Sequence, residues 1–445
     1  MKKTLLLIVM WSLPGGAQDA ISLKDAVHLA LEKNKLVEAS TAARNVAERR
    51  ITEARAGNLP KVNYAESWVR SDNPVFVFGS LLTQHQFGEQ NFQIASLNRP
   101  DFLNNFQSQI TADQTLYDAG QTRHAVRSAE LMKDMTGEEG RRTQMDVIAG
   151  VIRSYYDSLL SVEQLNAASQ ALRSAQADLD HAQNVRSAGL STDVDVLSIR
   201  VHLAGVREQQ IRRRADLDVA RAALNDALGL PLDTAHTLTT SLAPLQIPEG
   251  LLSDYEKNAL SERPEARQGK LAISLAENQQ ATAHSNLLPQ VAAHAVFEAD
   301  RQDFYNRGGA NWLVSIGVRW NLFNGFSDKA HMEESKYARR RSEAEQEHAD
   351  SAIRLQVRRA YADLRAAEQR IEVTKASVTE AEESLRITQN RYETGLNTVT
   401  DLLRTETAVL DARTRQLAAI HDQRIAAAML ELAAGTLSAD SEVLN

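Results

Sequence analysis

A chain of 445 residues ordinarily divides into two or three globular domains, but aromatic residues make up only 5% of this one, and Ala, Leu, Glu, Gln, Arg and Asp dominate, a composition typical of long helices. The formal net charge of −8 argues against a nucleic-acid partner, which needs a basic face. With no cysteine in the chain, disulfides and thiolate-held metals are excluded.

Lys2 and Lys3 precede an apolar run from Leu5 to Leu13, followed by Pro14-Gly15-Gly16-Ala17. A basic end, a short apolar core and small residues predict a signal peptide over residues 1–17, cleaved near Ala17, and export across the inner membrane. No later segment approaches the ~20 apolar residues of a membrane-spanning helix. From Ser22 to about Gly57 the apolar residues recur at helical spacing, and Asn58-Leu59-Pro60 ends the run. Lys61 to Val69 alternates, with Val62, Tyr64 and Trp68 on one side, and predicts a strand. Residues 71–105 carry Asn73-Pro74, Gly79, Gly88 and Arg99-Pro100 and are expected to form a long irregular loop, with a second strand over Phe106–Tyr117.

The character then changes, for no proline occurs between Pro100 and Pro231. From Gln121 to Arg186, Leu159, Val162, Leu165, Ala168, Leu172, Ala175 and Leu179 recur in steps of three and four. This predicts a helix of about 65 residues, roughly 100 Å long at 1.5 Å per residue. Gly189-Leu190-Ser191-Thr192 breaks it, and a second helix follows from Thr192 to Leu228, stopped by Gly229-Leu230-Pro231. A glycine and a polar cap between two helices predict a tight hairpin.

The plan then repeats. Gly189-Leu190-Ser191-Thr192-Asp193-Val194-Asp195 returns as Gly395-Leu396-Asn397-Thr398-Val399-Thr400-Asp401, 206 residues on. Val151, Arg153, Tyr155 and Asp157 return as Val357, Arg359, Tyr361 and Asp363 at the same offset. Ala30-Leu31 and Leu59-Pro60 return as Ala259-Leu260 and Leu288-Pro289, 229 residues on. The change of offset falls in the loop between the two strands, where length changes are tolerated. The expected organisation is therefore a signal peptide (1–17), a first repeat (18–229), a linker (230–250), a second repeat (251–435) and a tail (436–445).

In the second repeat Trp312, Val314, Ile316, Val318, Trp320 and Leu322 alternate with Leu313, Ser315, Gly317, Arg319 and Asn321. Strands of about ten residues, apolar on one side, polar on the other and aromatic at the ends, fit a membrane β-barrel. The same alternation suits a half-buried strand of a soluble sandwich, but the chain has little other β sequence with which to build one. Four strands per chain cannot close a barrel, because an open edge in lipid leaves backbone groups unsatisfied. Several copies must then share one barrel.

The paired hairpin motifs, Leu59-Pro60 and Leu288-Pro289 entering strands, and Leu116-Tyr117-Asp118-Ala119-Gly120 and Leu322-Phe323-Asn324-Gly325 leaving them, resemble the TolC-like outer-membrane efflux protein family over nearly the whole mature chain. The resemblance implies a mainly α fold with a membrane β-barrel contribution. Each duplicated strand pair is joined to a long helical hairpin, and a homotrimer forms a twelve-stranded barrel in outer-membrane lipid above an α-helical periplasmic tunnel. The function implied is a passive exit duct for small molecules or metal ions. An inner-membrane pump drives it and a periplasmic adaptor docks on the hairpin tips.

Several residue roles follow from the resemblance. Gly189, Leu190, Thr192, Gly395, Leu396 and Thr398 are the expected adaptor-docking tips, and they also suit plain helix capping. Asp195 and Asp401, one turn inside the tips, are expected to line the constriction, and they equally suit acids complementing a helix dipole. Tyr392 stands where the family has a gate tyrosine. Asn397 stands where a gate arginine can occur, and Arg404 where a second acid can. Trp312, Val314, Ile316, Val318 and Trp320 are expected to face the membrane. The runs Arg212-Arg213-Arg214 and Arg339-Arg340-Arg341 are expected to be solvated helix faces.

No catalytic constellation, cofactor loop or metal-ligand spacing is present in the sequence, so no enzyme is expected, and neither cofactor nor metal. Type I protein secretion is the alternative cargo reading. A periplasmic coiled-coil adaptor is a further alternative, but it would carry one hairpin splitting a lipoyl-like β-domain, whereas this chain has two hairpins and no such domain.

Overall fold

The computed structural model describes residues 19–188, 192–246, 250–306 and 308–444. The expected signal peptide and the tip residues Gly189 and Leu190 lie outside the described residues. Strand β1 (Asp19–Ile21) leads into helices α1 (Leu23–Lys33) and α2 (Lys35–Arg55). Strand β2 (Lys61–Ser71) is followed by two short helices, α3 (Pro74–Thr83) and α4 (Ile94–Asn98), and then by β3 (Leu103–Tyr117). The first long pair is α5 (Gln121–Ser187) and α6 (Asp193–Leu228). After β4 (His236–Leu238) come α7 (Leu252–Glu262), α8 (Pro264–Ser285), β5 (Gln290–Arg301), β6 (Gly309–Arg319), α9 (Ser327–Glu393) and α10 (Val399–Ala434).

Corresponding elements have matching lengths. Helices α5 and α9 have 67 residues each, α6 and α10 have 36 each, and α1 and α7 have 11 each. Three details differ from expectation. The first helix breaks at Asn34, which turns extended (ψ 128°) while its side chain donates to the Ala227 carbonyl at 2.9 Å. The stretch expected to be irregular holds α3 and α4, because Asn73 caps α3 through its side-chain oxygen and Pro74 occupies the first helical position, where a missing N–H costs nothing. Strand β6 stops at Arg319, so Trp320 lies just beyond it and donates its indole N–H to the Leu287 carbonyl at 3.0 Å.

The chain forms two compact units. One comprises the residues up to Ala42, Glu138–Gln268 and those from Glu347 onward. Its core joins Leu23 and Val27 of α1, Val151, Ile152, Tyr155 and Tyr156 of α5, Leu228 of α6 and Val357 of α9, all at most 2% exposed. The Tyr155 hydroxyl donates to the Ile21 carbonyl (2.9 Å) and accepts from the Thr240 N–H (3.2 Å), which ties the short parallel pair β1–β4 to α5. Glycine ends both α6 and α10. Gly229 (φ +73°) and Gly435 (φ +76°) adopt the left-handed conformation that L side chains resist. A Cβ at Gly229 would stand 2.8 Å from the Lys33 carbonyl, and one at Gly435 would stand 2.7 Å from the Arg263 nitrogen. Each long helix thus closes tightly against the break between the two short helices of its own repeat.

The other unit comprises Ala43–Gly137 and Gly269–Gln346. Its centre is a four-stranded antiparallel sheet in the order β2-β3-β5-β6, with a bulge in β3 between Thr115 and Tyr117. The register puts Trp68 opposite Phe106, Ile110 opposite Phe297 and Phe297 opposite Trp312. Among the described residues no helix is long and apolar enough to cross a membrane.

Candidate functional site

Of the expected tip residues, Thr192 and Thr398 sit at two matching helix starts. Thr192 caps α6: its hydroxyl accepts from the Asp195 N–H (3.2 Å), and the Asp195 carboxylate accepts from the Thr192 N–H (3.1 Å) and hydroxyl (2.8 Å). Thr398 and Asp401 repeat the arrangement at α10 at 3.2, 3.1 and 2.7 Å. Both acids thus close reciprocal capping boxes that satisfy otherwise orphaned N–H groups. The Thr398 bonds hold the Asp401 carboxyl below its ordinary pKa, with a smaller contribution from Arg404. Preceding α10, Gly395 (φ +73°) donates to the Tyr392 carbonyl (2.9 Å) and Leu396 donates to the Arg391 carbonyl (2.8 Å). This pair of bonds is a Schellman closure of α9. It leaves the Leu396 side chain 70% exposed.

Tyr392 is half-buried against an apolar cluster of Leu179, Ala182, Val196, Ile199 and Val399, with Leu203 and Leu403 alongside. The cluster draws on α5, α6, α9 and α10, so it joins the two hairpins next to their ends. Burial, and then the charges of Asp195 and Asp178, push the Tyr392 phenol pKa up.

A polar cluster that sequence reading missed lies beside this one. Asp178 of α5 adjoins Glu406 of α10, and His202 Nε2 of α6 stands 3.5 Å from Glu406 Oε2. Burial and the neighbouring carboxylate push the Asp178 pKa up to about 7. Burial also opposes charge on Glu406, but the neighbouring His202 and Asp178 outweigh it and hold that pKa down. The two carboxyl groups therefore hold one proton between them. A signal was available: Ala175-Asp178-Ala182, Ile199-His202-Val206 and Leu402-Glu406-Val409 each place a polar residue in a buried stripe spaced by threes and fours. Next to this cluster is a cavity of about 400 Å³ lined by Ala171, Ser174, Gly205 and Val206 of the first hairpin and Leu410 and Arg413 of the second.

The sheet has two faces of different character, the more apolar one interrupted by the Arg301–Glu66 pair at 2.9 Å, with Ser108 beside it. Trp312, Val314, Ile316 and Val318 are 63–78% exposed and share a face with Phe297, Ile110, Tyr64 and Trp68 through the register. The opposite face carries Asn105, Gln107, Gln109 and Asp113 of β3, His294, Glu298 and Asp300 of β5, and Asn311 of β6. His294 and Asp113 pair across it at 2.7 Å, and Gln107 donates to Glu298 at 3.3 Å. The two arginine runs are engaged on the surface: Arg212 with Glu208, Arg213 with Asp216, Arg339 with Glu277 and Glu343, and Arg341 with Glu345. Among the described residues no group of three or more His, Cys, Asp or Glu is arranged to hold a metal ion.

This duplicated architecture has known counterparts, and the family model described as outer membrane efflux protein matches residues 26–230 and 256–436. The chain belongs to the outer membrane efflux protein family. Among its relatives, the proteases secretion protein PrtF of Dickeya chrysanthemi is 24% identical over 448 residues, covering 98% of this chain and 93% of that protein. The protein CyaE of Bordetella pertussis is 26% identical over 332 residues, 74% of this chain and 70% of that protein. In fold the chain resembles the crystal structure of CusC, with a TM-score of 0.77 at 18% identity, covering 96% of this chain and 95% of that one. It also resembles the CmeC outer membrane channel of Campylobacter jejuni, with a TM-score of 0.78 at 15% identity, covering 97% and 92%. Efflux proteins of this family are outer-membrane transport ducts, not enzymes.

Proposed function

We propose that this efflux protein is the exit duct of a tripartite export system, a homotrimer whose three four-stranded sheets close one twelve-stranded barrel in the outer membrane. The observation that carries the proposal is the two-faced sheet. Its apolar face, from Trp312 to Val318, is exposed in the single chain, and its outer strands β2 and β6 pair on one side only. Both features call for lipid and for further copies of the sheet, since a spanning sheet must leave no open edge. The hairpins then form the periplasmic part, which a signal peptide at residues 1–17 would deliver across the inner membrane.

Cargo is driven from an inner-membrane pump, and a periplasmic adaptor docks on the ends of the hairpins, at Gly189, Leu190, Thr192, Gly395, Leu396 and Thr398. Tyr392, Asp195 and Asp401 lie at the constriction. Tyr392 works by packing the two hairpins together, and the two acids by fixing the helix starts that the adaptor would meet. The primary cargo reading is small molecules or metal ions. Secretion of protein is a second reading, favoured by the near full-length match to PrtF and to AprF of Pseudomonas aeruginosa, both named for protease secretion.

The test is the mass and conductance of the detergent-extracted protein. A trimer that conducts in a planar bilayer supports the duct, and a non-conducting monomer ends the proposal. A strain lacking the chain separates the cargoes, for retained fluorescent dye marks small-molecule efflux, while loss of proteins from the medium with unchanged dye marks secretion.

A further inference from the structure

The segment between β2 and β3 is a folded element seated on one particular face of the sheet. Helix α3 ends at Thr83, and the next residue, Gln84, is only 2% exposed. Gln84 Nε2 donates to the Asn104 carbonyl (3.0 Å) and to Asn105 Oδ1 (2.8 Å), and Asn105 Nδ2 donates to Asp300 Oδ1 (2.6 Å). Asn311 Nδ2 donates to the Thr83 carbonyl at 3.1 Å. The end of α3 is thereby fastened to β3, β5 and β6 together. The fit is close, since a Cβ at Gly309 would fall 2.0 Å from the Thr83 carbonyl oxygen, so only glycine admits the helix there.

Asn105, Asp300 and Asn311 belong to the polar face, two residues along from Gln107, Glu298 and Leu313, and opposite to Trp312 and Val314. Helix α3 therefore lies on the side of the sheet that a closed barrel would enclose. Its own pattern is reversed relative to that surface. Val77, Ser80 and Gln84 turn inward and are buried, whereas Val75, Phe78 and Leu82, spaced three and four apart, are 82%, 37% and 48% exposed. Phe78 meets Phe87 edge-on, with ring centroids 4.8 Å apart, while Val75 and Leu82 beside it stay exposed and, aimed away from a polar wall, would find apolar partners only within the bore.

We propose that α3 is a luminal gate at the end of the barrel away from the long helices, in which the Val75–Phe78–Leu82 stripes of the copies sharing the barrel meet one another. The gate rests on the trimeric-barrel reading above and is incomplete in a single chain. Space favours it. Barrel diameter grows with strand number, about eight strands being filled by side chains and about sixteen leaving a water channel. Three helices, each roughly 10 Å across, therefore occupy most of a twelve-stranded bore. An apolar constriction of this kind stops hydrated ions by dewetting.

The seat is also releasable. Gln84 Oε1 and Asp300 Oδ2 are buried, and among the described residues neither finds a hydrogen-bond donor. Moving α3 off the sheet would hydrate both and offset part of what the broken bonds lose.

The absence of native cysteine makes the test direct. Val75→Cys and Leu82→Cys are introduced singly into the full chain and treated with a short bis-maleimide, with Ile316→Cys as a control on the opposite face. Conductance of Phe78→Ser is recorded in planar bilayers. The gate predicts subunit-to-subunit cross-links from Val75→Cys and Leu82→Cys but not from Ile316→Cys, together with a severalfold higher conductance for Phe78→Ser. If the protein is a conducting trimer but Val75→Cys reacts only with a membrane-soluble maleimide and conductance is unchanged, the stripe faces lipid and the gate is wrong while the duct stands. If no trimer forms, the barrel reading falls and the gate falls with it.

Discussion

Asp178 and Glu406, more than 200 residues apart in the chain, meet as a carboxylic acid and a carboxylate between α5 and α10. Two adjoining carboxyl groups can hold one proton but not none without repulsion. The raised Asp178 pKa, about 7 against 3.8 for an ordinary aspartate, means that the folded state binds a proton which the unfolded state has already lost. Stability from this contact is therefore full at pH values below the ordinary one and falls as pH rises through about 7. Glu406, with its pKa held down, works in the opposite sense but titrates on the acid side of this window. His202 and Tyr392 also face the pair.

The first prediction is that the thermal midpoint of the extracted protein drops between about pH 4 and pH 7 and that Asp178→Asn, which keeps a hydrogen-bond donor without the charge, flattens that part of the profile. An unchanged slope in the variant would refute the assignment.

A second joint between the hairpin helices is more basic in character. His421 of α10 contacts Asp157 of α5 at 2.7 Å and Asp422 at 3.2 Å, and Asp422 in turn pairs with Arg370 of α9 at 2.8 Å. Burial opposes charge on the imidazole, yet hydrogen bonds to Asp157 and then Asp422 outweigh it and raise the pKa above 6.5. A raised histidine pKa contributes stability that is fully present below the unfolded value and is lost as pH rises through the folded one. His421→Gln should therefore destabilise the protein at pH 6 and be nearly silent at pH 9. Equal destabilisation at both would mean that packing, not charge, is what His421 supplies.

How much of this could be read from the chain varies by element. The long helices and the hairpin starts were legible because a 3.6-residue period over 67 residues and a Thr-x-x-Asp cap are local patterns. The two-faced strands were legible because alternation has period two. Helix α3 was not, since Asn73-Pro74 signals a helix start as readily as a loop and the glycines after it weighed toward irregular chain. The Asp178–His202–Glu406 cluster was hidden because reading apolar periodicity skips polar residues that occupy apolar positions. Only the packing of three helices brings them together. The break at Asn34 is likewise tertiary, held by a bond to the Ala227 carbonyl far along the chain.

The glycines that end α6 and α10 give a third prediction. Gly229→Ala places a side chain in the left-handed region and into contact with the Lys33 carbonyl. The conformational part alone costs about 1–2 kcal/mol, and the overlap with backbone adds to it because backbone cannot swing aside. Gly395 has the same φ but nothing within 4 Å of its Cβ position, so Gly395→Ala should show only the conformational part. The circular-dichroism midpoint of Gly229→Ala should therefore fall further than that of Gly395→Ala, and equal shifts would contradict the close packing at Lys33.

The last prediction concerns the membrane face. Ile316 stands in the middle of the exposed apolar row of β6, two residues from Val314 and Val318, and is itself 68% exposed. On a lipid-facing barrel wall an arginine at mid-depth costs about 2–4 kcal/mol, whereas a position facing water in the bore tolerates it. Ser315, on the opposite face, supplies the internal comparison. Ile316→Arg should sharply reduce the yield of assembled protein in outer-membrane fractions, while Ser315→Arg should assemble normally and alter conductance instead. Because adjacent residues of one strand are compared, a general intolerance of β6 to charge would affect both. Reversed behaviour of the two would turn the sheet around and remove α3 from the lumen.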